Sequence, residues 1–298
     1  MLWRPTTRVD LPRPAGAYAP QLWGDYAYRR FCTPNLSRHR SPDHDILVKR
    51  ARFHLRQALP LRVPTSRGSL QAYVLEPDGP PVGSVLFVHG WTGEAAFMTV
   101  FAEQFRRRGF RSVLFDLPAH GKSSGRRTSL IACAHAVREV AEALGPVQFA
   151  VAHSLGGLAT LLAGGGGTPM PRAYPFQGYV LIALPNRFSE VTEAFSQELG
   201  LSPAARQVYQ RHLERIAHRK IADLTGAKLL AETDRSVLLL HARDDAEVPF
   251  RNAQEIAASS RRARLQPFDD LGHRKILYAP PVVRAALSYV VRQCEPRR

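Results

Sequence analysis

Apolar residues in this chain gather in short runs separated by longer stretches of helical period. The runs are SVLFVH (84 to 89), RSVLFD (111 to 116), VQFAV (147 to 151), YVLIAL (179 to 184), SVLLLH (236 to 241) and a weaker RLQPF (264 to 268). They are apolar without alternation, as strands covered on both faces must be. With helical segments between them they predict an α/β fold, a mostly parallel central sheet flanked by helices. Ahead of them, LPLRV and LQAYVLEP flank TSRG, and Gly68 supplies the permissive backbone that a hairpin turn needs.

One interval breaks this rhythm. About fifty residues separate the fourth run from the fifth, far more than a crossover requires. Within them Phe188, Val191, Phe195 and Leu199 recur at helical spacing, and Ser202-Pro203 opens a second stripe of Ala205, Tyr209, Leu213 and Ile216. The pattern predicts a small helical cap inserted above the sheet at about 185–235, most of whose apolar positions pack on the core. Gly164 to Gly167 reads as a loop after the preceding helix. Residues 1 to about 40 are rich in Pro and Arg without a clear period, and read as an extended arm, packed on the body or partly disordered. Ser41-Pro42-Asp43 suits a helix start, with a capping hydroxyl, Pro in the first turn and an acid at the positive dipole end, and the helix is expected to run to about Gln57. The expected division is a basic N-terminal arm and helix over 1–57 and one globular domain over 58–298.

Composition narrows the classes. Of 298 residues, 41 are Lys or Arg and 25 are Asp or Glu, a formal charge of +16 that admits nucleic acid, a membrane surface or anionic substrates as partners. Arg is scattered along the chain and no nucleic-acid motif accompanies it, so the charge reads as a solvated, solubilising surface and nucleic acid is not an expected partner. The densest basic stretches, RHRSPDH and LVKRARFHLR, fall in the N-terminal fifth, where an acidic partner would meet them. Cys32, Cys133 and Cys294 are few and widely spaced, which fits reduced thiols in a cytoplasmic protein better than a disulfide framework or a CxxC metal site. MLWRPTTRVDLPRPAGAYAP lacks a continuous apolar region and no run of eighteen apolar residues occurs, so neither secretion nor a membrane span is expected. Oligomeric state leaves no mark in the sequence.

In an open parallel sheet, ligands sit beyond the carboxyl ends of the strands. The residues that follow the runs are His89-Gly90-Trp91-Thr92-Gly93, Asp116-Leu117-Pro118-Ala119-His120-Gly121, Ala152-His153-Ser154-Leu155-Gly156-Gly157, His241 through Pro249, and Asp269-Asp270-Leu271-Gly272-His273. A nucleophile, carboxylates and an imidazole thus converge on one edge. Ser154 sits at a strand-to-helix junction, and taken alone it reads equally as a helix cap. Gly121-Lys122-Ser123 looks like the end of a phosphate loop, but the first glycine of that motif would fall on Asp116, which removes the nucleotide reading. There is no H-E-x-x-H and no close Cys/His cluster in the sequence, so neither a metal nor another cofactor is expected.

These segments resemble the α/β-hydrolase family, in its serine esterase, lipase and aminopeptidase-like branch, over roughly residues 60 to 295. A-H-S-L-G-G is similar to the family's G-x-S-x-G elbow, with Ala152 in the first glycine's place. The resemblance implies Ser154 as nucleophile, Asp245 as the acid and His273 as the base, in the chain order this fold uses. Asp244 is then a solvated neighbour or a loop-shaping residue. Backbone N–H groups of Trp91 and Leu155 become the oxyanion hole, while His89, Gly90 and His153 shape the site and FDLPAHGKSSG turns the chain beside it. Phe188, Val191 and Phe195 are the expected substrate pocket. The implied activity is hydrolysis of a small-molecule carboxylic ester through an acyl-enzyme. Thioesters, amides, peptides or acyl transfer would use the same groups. A non-catalytic ligand-binding protein is the reading of another class, and three aligned catalytic groups argue against it.

Overall fold

The structure, a computed structural model, describes residues 18–34, 49 and 51–294. Each predicted run forms a strand: β3 (Gly83–Val88), β4 (Phe110–Phe115), β5 (Phe149–His153), β6 (Gly178–Ile182), β7 (Ser236–Ala242) and β8 (Ala263–Phe268). The hairpin forms β1 (Leu59–Thr65) and β2 (Gly68–Leu75), with Thr65 opposite Gly68 at its turn. All eight join one sheet in the order β1-β2-β4-β3-β5-β6-β7-β8. β2 runs against both its neighbours, and β4 through β8 are parallel.

The absence of alternation in the runs has a direct cause. Val85 and Phe87 point to one face, where they join Phe101 and Phe105 of α2 (Thr99–Arg107) and Val282 and Ala286 of α10 (Pro280–Cys294). Leu86 and Val88 point to the other, which α3 (Leu130–Leu144), α4 (Leu155–Gly165), α7 (Gly226–Thr233) and α8 (Arg251–Ser259) cover with Val137, Leu158, Leu229 and Ile256. Both faces are dry, and each fully buried large side chain contributes about 1.5–3 kcal/mol.

Three expectations change. Within the N-terminal arm, Pro20–Phe31 is not extended but forms a helix, α1, with Ala27 fully buried. Trp23, Ala27 and Phe31 lie four residues apart on its inner face, and the Pro- and Arg-rich surroundings hide that stripe in the sequence. The proposed start of the second helix at Ser41-Pro42-Asp43 lies outside the described residues, whereas 51–55 are helical. Within the long interval, α5 (Phe188–Glu198) and α6 (Pro203–Ala217) are the extra helices, while α7 packs on α4 and α8 as an ordinary crossover helix. Gly164 and Gly165 also belong to α4, so the loop begins only at Gly166.

The topology places the site. From β3 the chain crosses to β4 on one side and then returns to β5 on the other side of β3. Loops leaving β3 and β5 therefore diverge, opening a crevice between their carboxyl ends.

Candidate active site

Ser154 occupies the cap position of α4 without capping it. Ser129, Ser202 and Thr225, at the starts of α3, α6 and α7, each accept a hydrogen bond from a backbone N–H three residues on, and Ser154 makes no such bond. Its φ of 52° and ψ of −127° lie in a region that L residues avoid, at a cost on the order of 1–3 kcal/mol. Tight neighbours enforce that turn. A Cβ on Gly156 would stand 2.3 Å from the His89 carbonyl oxygen, and one on Gly90 would stand 3.1 Å from Ser154 Cβ. Ala152 is fully buried in β5 between Val88 and Leu181, so the alanine at the elbow's first position is accommodated without strain.

His273 lies in the short helix α9 (Gly272–Lys275), and its Nδ1 is 2.8 Å from Asp245 Oδ2. The other oxygen of Asp245 accepts from the backbone N–H groups of Glu247 (2.9 Å) and Val248 (2.8 Å). Burial pushes this carboxyl upward, but the His273 hydrogen bond and charge, with the Val248 N–H and His241, outweigh it and hold the pKa below the ordinary carboxylate value. The carboxylate is thus charged and fixed, with its free lone pair aimed at the imidazole. Ser154 and His273 line one small cleft together with Gly90, Trp91, His153 and Arg274. Asp244, exposed on the same loop, accepts from the N–H groups of Leu271 (3.2 Å) and Gly272 (3.0 Å), and so shapes the segment that carries His273.

Several supporting groups hold these residues, and the roles of two of them, His120 and His241, carry no signal that sequence reasoning had used. The neutral ring of His89 accepts the Leu117 N–H at Nε2 (3.0 Å) and donates from Nδ1 to the Gly90 carbonyl (2.8 Å). His120 repeats the pattern, accepting the Thr92 N–H (3.2 Å) and donating to the Pro118 carbonyl (2.9 Å). Burial lowers their pKa values to about 4 and about 3, which keeps both rings neutral and able to accept. Together they fasten the loop carrying Trp91 to the loop after β4. His153 donates from Nε2 to the His273 carbonyl (3.0 Å), and His241 donates to the Val248 carbonyl (2.8 Å) beside Asp245. Leu155 supplies the first N–H of α4, at the positive end of its dipole.

A larger apolar cavity of about 290 Å3 is also lined by Ser154. Trp91 and Leu155 line it with Phe188, Val191 and Phe195, so all three expected pocket residues share this cavity with the serine. Phe31 of α1 lines it too, a contribution that the sequence did not suggest. Among the described residues, no group of three His, Cys, Asp or Glu could hold a metal ion, and no helix is long and apolar enough to cross a membrane.

A mostly parallel sheet with a strained serine after a central strand, and a carboxylate-bound histidine after later strands, defines a class of α/β folds. The chain belongs to the α/β hydrolase family, whose model matches residues 85–286. Its fold is similar to Est1E from Butyrivibrio proteoclasticus with ferulic acid bound (TM-score 0.64, 16% identity, 78% of this chain and 98% of that one). It is also similar to a putative lipase from Acinetobacter baumannii (TM-score 0.60, 16% identity, covering 86% and 98%). A third similar structure is a thermophilic esterase from Thermogutta terrifontis (TM-score 0.58, 15% identity, covering 80% and 100%). No curated protein matches the chain in sequence.

Proposed function

We propose that the protein is a serine hydrolase that cleaves carboxylic esters through an acyl-enzyme on Ser154. The observation that carries this reading is a serine held in a helix-cap position without capping, in one cleft with an imidazole oriented by a buried carboxylate. Family membership and the esterases and lipases of similar fold agree with it.

A serine hydroxyl is a weak nucleophile at neutral pH, so His273 takes its proton as the oxygen attacks the ester carbonyl. With Nδ1 committed to Asp245, the proton arrives at Nε2, and the carboxylate stabilises the imidazolium that forms. The carbonyl's π electrons move onto its oxygen, and the N–H groups of Leu155 and Trp91 receive that charge. One such donor is worth about 3–4 kcal/mol of barrier. Collapse breaks the ester C–O bond, and the leaving alcohol takes the proton from His273. Water then repeats the sequence on the acyl-enzyme and releases the acid.

The two spaces beside Ser154 divide the substrate. The alcohol leaves on the side of His273, from which it is protonated, and His273 lines the small cleft but not the large cavity. The acyl group therefore belongs in the cavity of Phe188, Val191 and Phe195, with α5 and α6 acting as a cap over it. Turnover of p-nitrophenyl esters of graded acyl length, with matched thioesters and anilides, by the wild type and Ser154→Ala tests the reading. Loss of about three orders of magnitude or more in the variant is expected. Equal rates would refute it.

A further inference from the structure

α1 precedes the residues that the family model matches, yet it helps to close the cavity. The Phe31 ring lies 6.2 Å from that of Trp91, 6.0 Å from Phe188, 5.1 Å from Phe195 and 5.7 Å from Tyr209. It thus joins the loop after β3, α5 and α6 at one point. A second, much smaller apolar space of about 20 Å3 lies against Leu213, Ile216 and Leu224. Phe31, Phe188, Ser129 and Leu130 line both spaces, and Phe31 is the one of them that α1 supplies.

The helix that carries Phe31 is firmly held. A Cβ on Gly24 would stand 2.4 Å from Val208 Cβ and 2.8 Å from the Ala205 carbonyl oxygen, so α1 and α6 meet with only a glycine between their backbones. Asp25 binds His212 of α6, whose ring stacks on Tyr28 at 5.0 Å. Beyond the helix, the Cys32 carbonyl accepts the Thr128 N–H at 2.8 Å, tying the end of α1 to the segment whose Ser129 and Leu130 line the cavity.

We infer that α1 is a fixed wall of the acyl pocket and that Phe31 is a specificity-determining residue that limits the length of the acyl group. This rests on the acyl-enzyme reading above. The cavity's volume, about 290 Å3, falls at the lower end of small-molecule sites, roughly 300–1,000 Å3. Its walls include the rings of Phe31, Trp91, Phe188 and Phe195, which suit a compact alkyl or single-ring acyl group packed against their faces. A long alkyl chain has to displace Phe31 to enter.

The test has two arms. In the first, kcat/KM is measured for p-nitrophenyl esters from acetate to dodecanoate with the wild type, Phe31→Ala and Gly24→Leu. Removing the ring lengthens the cavity on the side of the second space. Each further methylene buried is worth a factor of about four, so two of them raise the decanoate-to-butyrate ratio by about tenfold or more. Gly24→Leu, which wedges α1 away from α6, shifts the ratio in the same direction. In the second arm, calorimetry follows binding of linear carboxylic acids to Ser154→Ala with and without Phe31→Ala. The chain length at which affinity stops rising increases when the ring is removed. Unchanged chain-length profiles in both arms overturn the inference, even if Ser154→Ala has abolished hydrolysis. A Ser154→Ala protein as active as the wild type instead overturns the acyl-enzyme reading, and the binding arm still decides the role of Phe31.

Discussion

Replacing Asp245 by asparagine changes one heavy atom, and the hydrogen bonds dictate where the new atom goes. The backbone N–H groups of Glu247 and Val248 both donate to Oδ1, so the amide oxygen must take that place. The NH2 group then faces His273 Nδ1, 2.8 Å from the position Oδ2 holds. An NH2 can only donate, so Nδ1 must accept, and the ring proton moves to Nε2. In that tautomer the imidazole cannot take the Ser154 proton. A wrong tautomer of this kind costs a factor of about 10,000 in kcat, or about 5.4 kcal/mol of barrier at about 1.36 kcal/mol per tenfold. Asp244→Asn is the internal control. Its carboxylate binds two N–H groups of an exposed loop and does not touch the imidazole, so turnover should stay within about threefold. Both variants are to be assayed on p-nitrophenyl butyrate, with urea unfolding showing that each is folded. A loss in Asp244→Asn as large as that in Asp245→Asn, or an Asp245→Asn protein within tenfold of the wild type, would refute the assignment of the acid.

Two further outcomes follow from contacts and burial. Gly156→Ala places a Cβ 2.3 Å from the His89 carbonyl oxygen, so the elbow must shift; unfolding experiments should show a loss of about 1–3 kcal/mol, with turnover falling at least about tenfold. His89 has its pKa lowered by burial from 6.5 to about 4, so as pH falls between those values the unfolded chain takes up a proton that the folded chain refuses. Stability is therefore present above pH 6.5 and lost toward pH 4, on the order of 3 kcal/mol from this residue alone. Urea midpoints across that range should fall less steeply in His89→Gln than in the wild type, and identical slopes would count against a buried neutral His89.

The six strands were legible because a parallel sheet covered on both sides needs apolar residues at every position, as Val85 to Val88 show. The hairpin was legible from Gly68. α1 was not, because its apolar stripe of Trp23, Ala27 and Phe31 is short and set among Pro and Arg, and its partner α6 lies far along the chain. For the candidate site, resemblance to a family singled out Ser154, Asp245 and His273, and periodicity drew attention to Phe188, Val191 and Phe195. The roles of His120 and His241 could not be read in this way. His120 accepts the Thr92 N–H and His241 donates to the Val248 carbonyl, and folding alone makes those pairs neighbours. Ser154 as cap or nucleophile was likewise undecidable from residue type, since it is the missing cap bond and the positive φ that set it apart from Ser129 and Ser202.

The proposed acyl-enzyme is tested most directly by labelling the wild-type protein with a fluorophosphonate and mapping the adduct by peptide mass spectrometry. The account predicts one phosphonyl group per chain, on Ser154, with ester turnover lost in proportion to labelling. Turnover that persists after Ser154 is fully modified, or an inactivating adduct on a different residue, would contradict it.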